Sequence, residues 1–185
     1  KYPTYPSTNN NHLYRRMLVY MRLAEALNCA GYPYFAYKIL ETGVDADVMS
    51  EEIIPAYPED SVKLSFFEFP KGNSDNPKFI VYDPLNSRSA TMIGIHTRGS
   101  GYTMYNEYFR MPYDTTIVAG TDSVMLQRAY QQKAVEKMLI DEEALEFAFE
   151  GFRYYDLLRV ALRRETTEPD FLEKQIQNRR GGKDT

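Results

Sequence analysis

The sequence predicts a mainly α-helical fold with a long, irregular middle that carries a few short strands. Three observations lead there. Apolar residues recur at three- and four-residue steps over 11–43, and the same spacing returns over 122–180. Between them, Pro55, Pro58, Pro70, Pro77, Pro84 and Pro112, with Gly72, Gly94, Gly99 and Gly101, punctuate residues 44–121.

Residues 1–10 hold two prolines and a run of Asn and read as an extended lead-in. The first helix begins near Asn11, with Leu13, Met17, Tyr20, Met21, Ala24, Leu27 and Asn28 on one face. Gly31 and Pro33 mark its stop and the next start. A second helix follows from about Tyr34 to Thr42, with Phe35, Ile39 and Leu40 as its apolar residues. In the middle, β-like runs stand at 62–67, 79–82 and 92–96. From Asp122 a helical stripe passes through Val135, Met138, Leu139, Leu145, Phe149 and Phe152, interrupted by Gly151. Further helices are expected from about Arg153 to Arg164 and, with Pro169 in its first turn, from about Glu168 to Arg180. The tail 181–185 is expected to be disordered.

Composition narrows the function. A hydrophobic fraction of 43% supports a packed core, and a formal charge of −4 argues against a phosphate-backbone footprint. Nucleic acid is not an expected partner. With Cys29 alone there is no internal disulfide and no thiolate metal site, and His12 and His96 have no partner at ligand spacing. Asp45, Asp47, Glu51 and Glu52 lack the ligand order of a calcium loop and read as a solvated acidic turn. No metal, cofactor or catalytic residue is expected. The 16 Tyr and 10 Phe against no Trp are unusual. Tyrosine suits half-wet faces, because its ring can be buried while its hydroxyl meets solvent or a polar ligand.

The first hairpin fits the tetratricopeptide (TPR) pattern when Ala24 is placed where the two helices cross. Tyr20, Leu23, Ala24 and Leu27 then fill the first-helix core positions, and Ala36, Leu40 and Gly43 those of the second. The usual closing proline is replaced by Val48. One repeat cannot bury its own apolar face, so partner repeats are expected upstream, with exposed apolar surface where they belong.

The most specific stretch runs from Asp141 to Arg159. Glu142, Glu146 and Glu150 form one i, i+4 row, followed at three-residue steps by Arg153, Asp156 and Arg159. Flanked by Leu145, Phe149, Phe152 and Leu157, these charges read as a partly buried ion-pair ladder, with Arg153 buried and paired to Glu146, Glu150 or Asp156. A catalytic carboxylate pair needs carboxyls free of neutralising cations, and arginines stand beside every candidate here.

Glu146, Phe147, Ala148, Phe149, Glu150, Gly151, Arg153, Asp156, Leu157 and Arg159 resemble the "ELAFEGxRxxDLxR" signature of the SusD/RagB family. Residues 20–28 (YMRLAEALN) look like that family's "LxxAEALN" helix. Residues 95–101 with Tyr105-Asn106-Glu107-Tyr108, and Arg163-Arg164, Phe171-Leu172 and Arg179, are similar to one of its branches. The resemblance implies that 1–185 is the C-terminal part of one SusD/RagB-like domain: a TPR-like hairpin at 11–43, an irregular excursion at 44–121 and C-terminal helices at 122–180. It further implies a non-enzymatic, lipid-anchored outer-membrane protein. Such a protein captures oligosaccharides or other nutrients as the partner of a TonB-dependent, SusC-like porin. Its membrane attachment would be only through an anchor outside this chain, since Cys29 lies within a helix.

Within the irregular middle, Arg98, Tyr102, Tyr105, Asn106 and Tyr108 carry sugar-site chemistry: rings to stack on pyranose faces, and polar groups for hydroxyls. The bland alternative is a hairpin whose tyrosines pack on the helices. The rival functions are a TPR-like protein–protein scaffold without a small ligand, and a carbohydrate-active enzyme. The enzyme would need two unpaired carboxylates across a groove.

Overall fold

The computed structural model describes residues 16–41, 43–69 and 110–179. These are mainly helical, and no strand occurs among them. Helix α1 (Arg16–Cys29) and α2 (Pro33–Glu41) form an antiparallel hairpin. Gly31, at φ +91°, closes α1: the Tyr32 N–H reaches back to the Leu27 carbonyl at 2.9 Å, a bond that requires a left-handed residue between. Ala24 and Ala36 are fully buried, so two small residues allow the backbones to come close.

Past Gly43, Asp45 caps α3 (Ala46–Val48) by accepting the Val48 N–H at 2.9 Å. Asp45 is buried, not part of a solvated acidic turn. A π-turn (Met49–Ile53) leads into α4 (Ile54–Ala56). Its wider spacing lets the Ile54 N–H reach the Met49 carbonyl just before Pro55, which has no N–H to donate. A 3₁₀ turn (Pro58–Asp60) then enters α5 (Ser61–Leu64). The strand expected at 62–67 is thus corrected to a helical turn and a bend. Pro58 and Asp60 supply helix-entry chemistry, Lys63 returns to Asp60 at 2.5 Å, and that local pairing prevails over the alternation of apolar residues. The described start of the excursion expected to be irregular, 44–69, is thus largely short helical turns. The β-like runs at 79–82 and 92–96, the lead-in and the tail lie outside the described residues.

The C-terminal part comprises α6 (Ser123–Glu146), α7 (Arg153–Arg163) and α8 (Phe171–Arg179). The main core lies where α1, α2 and α6 meet, around Met21, Phe35, Ile39, Leu40, Val135, Leu139 and Phe147. Ile140, Leu157, Val160 and Phe171 form a smaller one under α7 and α8. Asn28 and Gln132 fix the register of α1 on α6 reciprocally: each side-chain amide donates to the other's backbone carbonyl, at 2.9 and 2.7 Å. The turn from α6 to α7 places both Phe149 (φ +67°) and Gly151 (φ +81°) in the left-handed region. A Cβ on Gly151 would meet nothing within 4 Å, so glycine serves the backbone angle there, not the space.

Charged side chains also join the helices across their interfaces. Arg22 of α1 donates to Glu143 of α6 at 2.6 Å and to Asp156 of α7 at 2.5 Å. Both carboxylates are buried, at 3% and 1% side-chain exposure. Arg159 joins Asp156 to Glu25, each at 3.0 Å, and Arg163 reaches Glu25 at 2.7 Å and Glu136 at 3.2 Å. Arg164 continues the chain to Glu136 and, at 2.8 Å, to Glu168, with its guanidinium 4.9 Å from the Phe171 ring centre.

Burial pushes the Glu143 carboxyl up to about 8, helped by the like charge of Asp156 and opposed by Arg22. Asp156 is raised by burial as well. An unfolded Glu titrates near ~4.3. Between there and about 8 the folded chain therefore holds a proton that the unfolded chain releases. The Glu143 contribution is complete below the lower value and is lost as pH rises through the upper one. Urea midpoints should accordingly fall between pH 5 and 9, and Glu143→Gln should flatten that fall. Parallel curves for the two proteins would contradict the assignment.

Candidate functional site

A groove of about 470 Å³ opens between the α2–α4 side of the molecule and the chain that leads into α6. That volume lies within the range of small-molecule sites. Tyr34, Tyr57 and Tyr113 form its aromatic walls, and Gln127, Arg128 and Gln131, one turn of α6, supply polar edges.

The groove is built around Tyr57. Its ring is buried and lies edge-on to Tyr32, with centres 5.1 Å apart, and Arg128 covers its face at 4.7 Å. Its hydroxyl accepts the Tyr34 N–H at 2.9 Å and also the Phe35 N–H. Helix α2 opens on Pro33 with no cap of its own in sequence, so a tyrosine more than twenty residues away satisfies its first free donors. Burial pushes the Tyr57 phenol up to about 12, and those two N–H groups and Arg128 pull in the other direction.

Arg128 donates to Glu59 and, at 3.2 Å, to the Ala56 carbonyl. The Tyr34 hydroxyl donates to Glu52 at 2.9 Å, and Glu52 is also met by Lys38 at 3.0 Å. Gln131 holds the entering chain through the Pro112 carbonyl at 3.2 Å. Gln127, with its amide turned to satisfy both ends, bridges the N–H and carbonyl of Asp114 at 2.9 and 3.2 Å. Asp114 itself takes the N–H and hydroxyl of Thr116, which hold its carboxyl below the usual range. Tyr113, pinned between these two anchors, is 69% exposed and offers a free ring face at the mouth.

The residues singled out in the sequence fall in two places. Arg98, Tyr102, Tyr105, Asn106 and Tyr108 lie outside the described residues. The charged motif is in the scaffold, away from the groove-lining residues: Glu146 is buried, Glu150 is half-buried, and Gly151 serves the turn. The hydrogen bonds to Asp156 come from Arg22 and Arg159. Half-buried Arg153 donates instead to the Ile140 carbonyl at 2.6 Å, while its charge still helps hold Asp156 down. Sequence reading missed Glu143 and the groove residues Tyr34, Tyr57, Tyr113 and Arg128. Only the high tyrosine content pointed toward them. Among the described residues no cluster of His, Cys, Asp and Glu is arranged to hold a metal ion, and no helix is long and apolar enough to cross a membrane.

Helices joined by buried ion pairs, with an open tyrosine-walled groove on one side, define a helical scaffold that carries a groove of small-molecule size. The model of the SusD family matches residues 117–183, the C-terminal portion where the motif resemblance is strongest. No curated protein and no solved structure matches this chain.

Because the Tyr57 hydroxyl is the acceptor for the start of α2, Tyr57→Phe should cost about 1–2 kcal/mol in urea unfolding, the price of stranding buried donors. An unchanged midpoint would show that water replaces it without loss.

Proposed function

We propose that this chain is a non-enzymatic glycan-binding component of nutrient capture, and that an oligosaccharide seats in the tyrosine-walled groove. One observation carries the reading: residues 117–131, the start of the stretch that matches the SusD family, form one wall of that groove. A pyranose has apolar C–H faces and polar hydroxyl edges. Tyr113 offers the first a ring, and Gln127, Arg128 and Gln131, fixed in place by Asp114, Glu59 and the Pro112 carbonyl, offer the second the hydrogen-bonding capacity those contacts leave over. A binding role is favoured over hydrolysis because the nearby carboxylates are engaged: Glu59 by Arg128, Asp114 by Thr116, Glu52 by Lys38 and Tyr34. Hydrolysis would need two carboxyls poised for acid and base roles.

On this reading the chain is the C-terminal portion of one SusD/RagB-like domain, and the α1–α2 hairpin crossing at Ala24 and Ala36 is its TPR-like element. The resemblance to the family further supports a lipid-anchored protein on the outer-membrane surface, working with a SusC-like TonB-dependent porin.

Isothermal titration with a panel of neutral oligosaccharides tests the site. Tyr113→Ala should weaken binding by at least tenfold, about 1.4 kcal/mol. Its thermal melt should not move, because the ring is largely exposed. Undiminished binding by that variant would remove the groove from the account.

A further inference from the structure

We propose that Glu59 is the charge-selectivity residue of the groove: by neutralising Arg128 it restricts the site to uncharged glycan chains and rejects uronates and other anionic sugars. This rests on the glycan-binding reading of the same groove.

An arginine in a sugar site ordinarily favours acidic ligands, since its planar fork pairs with carboxylate or sulfate through two parallel bonds. Arg128 is not free to do so. One amino group meets the Glu59 carboxylate and the other meets the Ala56 carbonyl, while the guanidinium plane is held over Tyr57. The fork is occupied and its charge cancelled before any ligand arrives. Arg128 correspondingly holds the Glu59 carboxyl below its usual range. Glu59 keeps 48% side-chain exposure and acts on the groove through Arg128, which lines it.

The surroundings add to the rejection. Lys38 is 11% exposed and already paired to Glu41 and Glu52. Lys63 is bound to Asp60 across the α5 entry. Asp114 stands next to Tyr113 with a carboxyl kept ionised by Thr116. The positive end of α6 at Ser123 is preceded by Asp122, which offsets it. An anionic sugar on Tyr113 would therefore meet the neighbouring Asp114 carboxylate and no uncommitted cation among these residues. An uncharged sugar would meet only hydrogen-bonding groups.

The test titrates the full chain with neutral gluco-oligosaccharides and with oligogalacturonates of matching length. Wild type should bind the neutral series at least tenfold more tightly. Glu59→Gln should raise oligogalacturonate affinity at least tenfold, and roughly 0.5 M salt should abolish that gain through charge screening. Glu59→Asp should restore the wild-type preference, an outcome that a merely structural role would not produce. Thermal melts of both variants establish that they are folded.

If wild type binds oligogalacturonates as well as neutral chains, and Tyr113→Ala loses both, the selectivity proposal is overturned while glycan capture stands. A Glu59→Gln protein that is folded but gains no affinity for the acidic series overturns it equally. If wild type binds neither series, the glycan-binding reading itself falls, and this proposal with it.

Discussion

Arg22 sits between two buried carboxyls from two different helices, and the remaining architecture depends on that contact. A single guanidinium on α1 joins Glu143 of α6 to Asp156 of α7, so the three helices cannot slide independently. The arrangement demands that the chain reverse sharply after α6, which explains why Phe149 and Gly151 both take left-handed backbone angles there. A non-glycine residue at such an angle costs roughly 1 kcal/mol, accepted only where its surroundings insist. Arg159, Arg163 and Arg164 extend the pairing across Glu25, Glu136 and Glu168 and so bring the end of α7 and the approach to α8 into one network. Buried pairs of this kind add little to stability over an apolar core, yet breaking one is severe. Their effect is to specify one packing.

Helix α6 transmits that specification to the groove. Its C-terminal half is held by the core and the ion network, while its first turns present Gln127, Arg128 and Gln131 to solvent. A 24-residue helix spans about 36 Å, so orientation fixed at one end positions the other. From the opposite side, Tyr57 supports the guanidinium of Arg128 and caps α2 with its hydroxyl. The exposed ring of Tyr113 is thus held through Pro112 and Asp114 to α6.

The parts that could be read from sequence are those whose causes are local. The α1 stop at Gly31, the α2 start at Pro33 and the extent of α7 follow from capping chemistry and apolar spacing within a few residues. The regular charges from Glu142 to Arg159 announced a buried electrostatic motif. They could not announce Arg22, which lies 121 residues from Glu143 and 134 from Asp156. Arg153, the local candidate, acts on Asp156 through its charge, while the hydrogen bonds to Asp156 come from Arg22 and Arg159. The strand expected at 62–67 failed because alternation over so short a run competes poorly with the helix-entry residues Pro58 and Asp60. The groove was hidden because Tyr34, Tyr57, Tyr113 and Arg128 come from four separate segments, and no spacing rule joins them.

A double-mutant cycle between Arg22 and Asp156 measures the central contact most directly. Arg22→Met, Asp156→Asn and the double variant, compared with wild type by urea denaturation, isolate the coupling energy from the cost of each substitution. The predicted coupling is favourable and on the order of 2 kcal/mol, with each single variant less stable than the double variant's loss would apportion to it. Additive losses, with no coupling beyond error, would mean that the apolar core alone sets the helix packing and that Arg22 merely follows it.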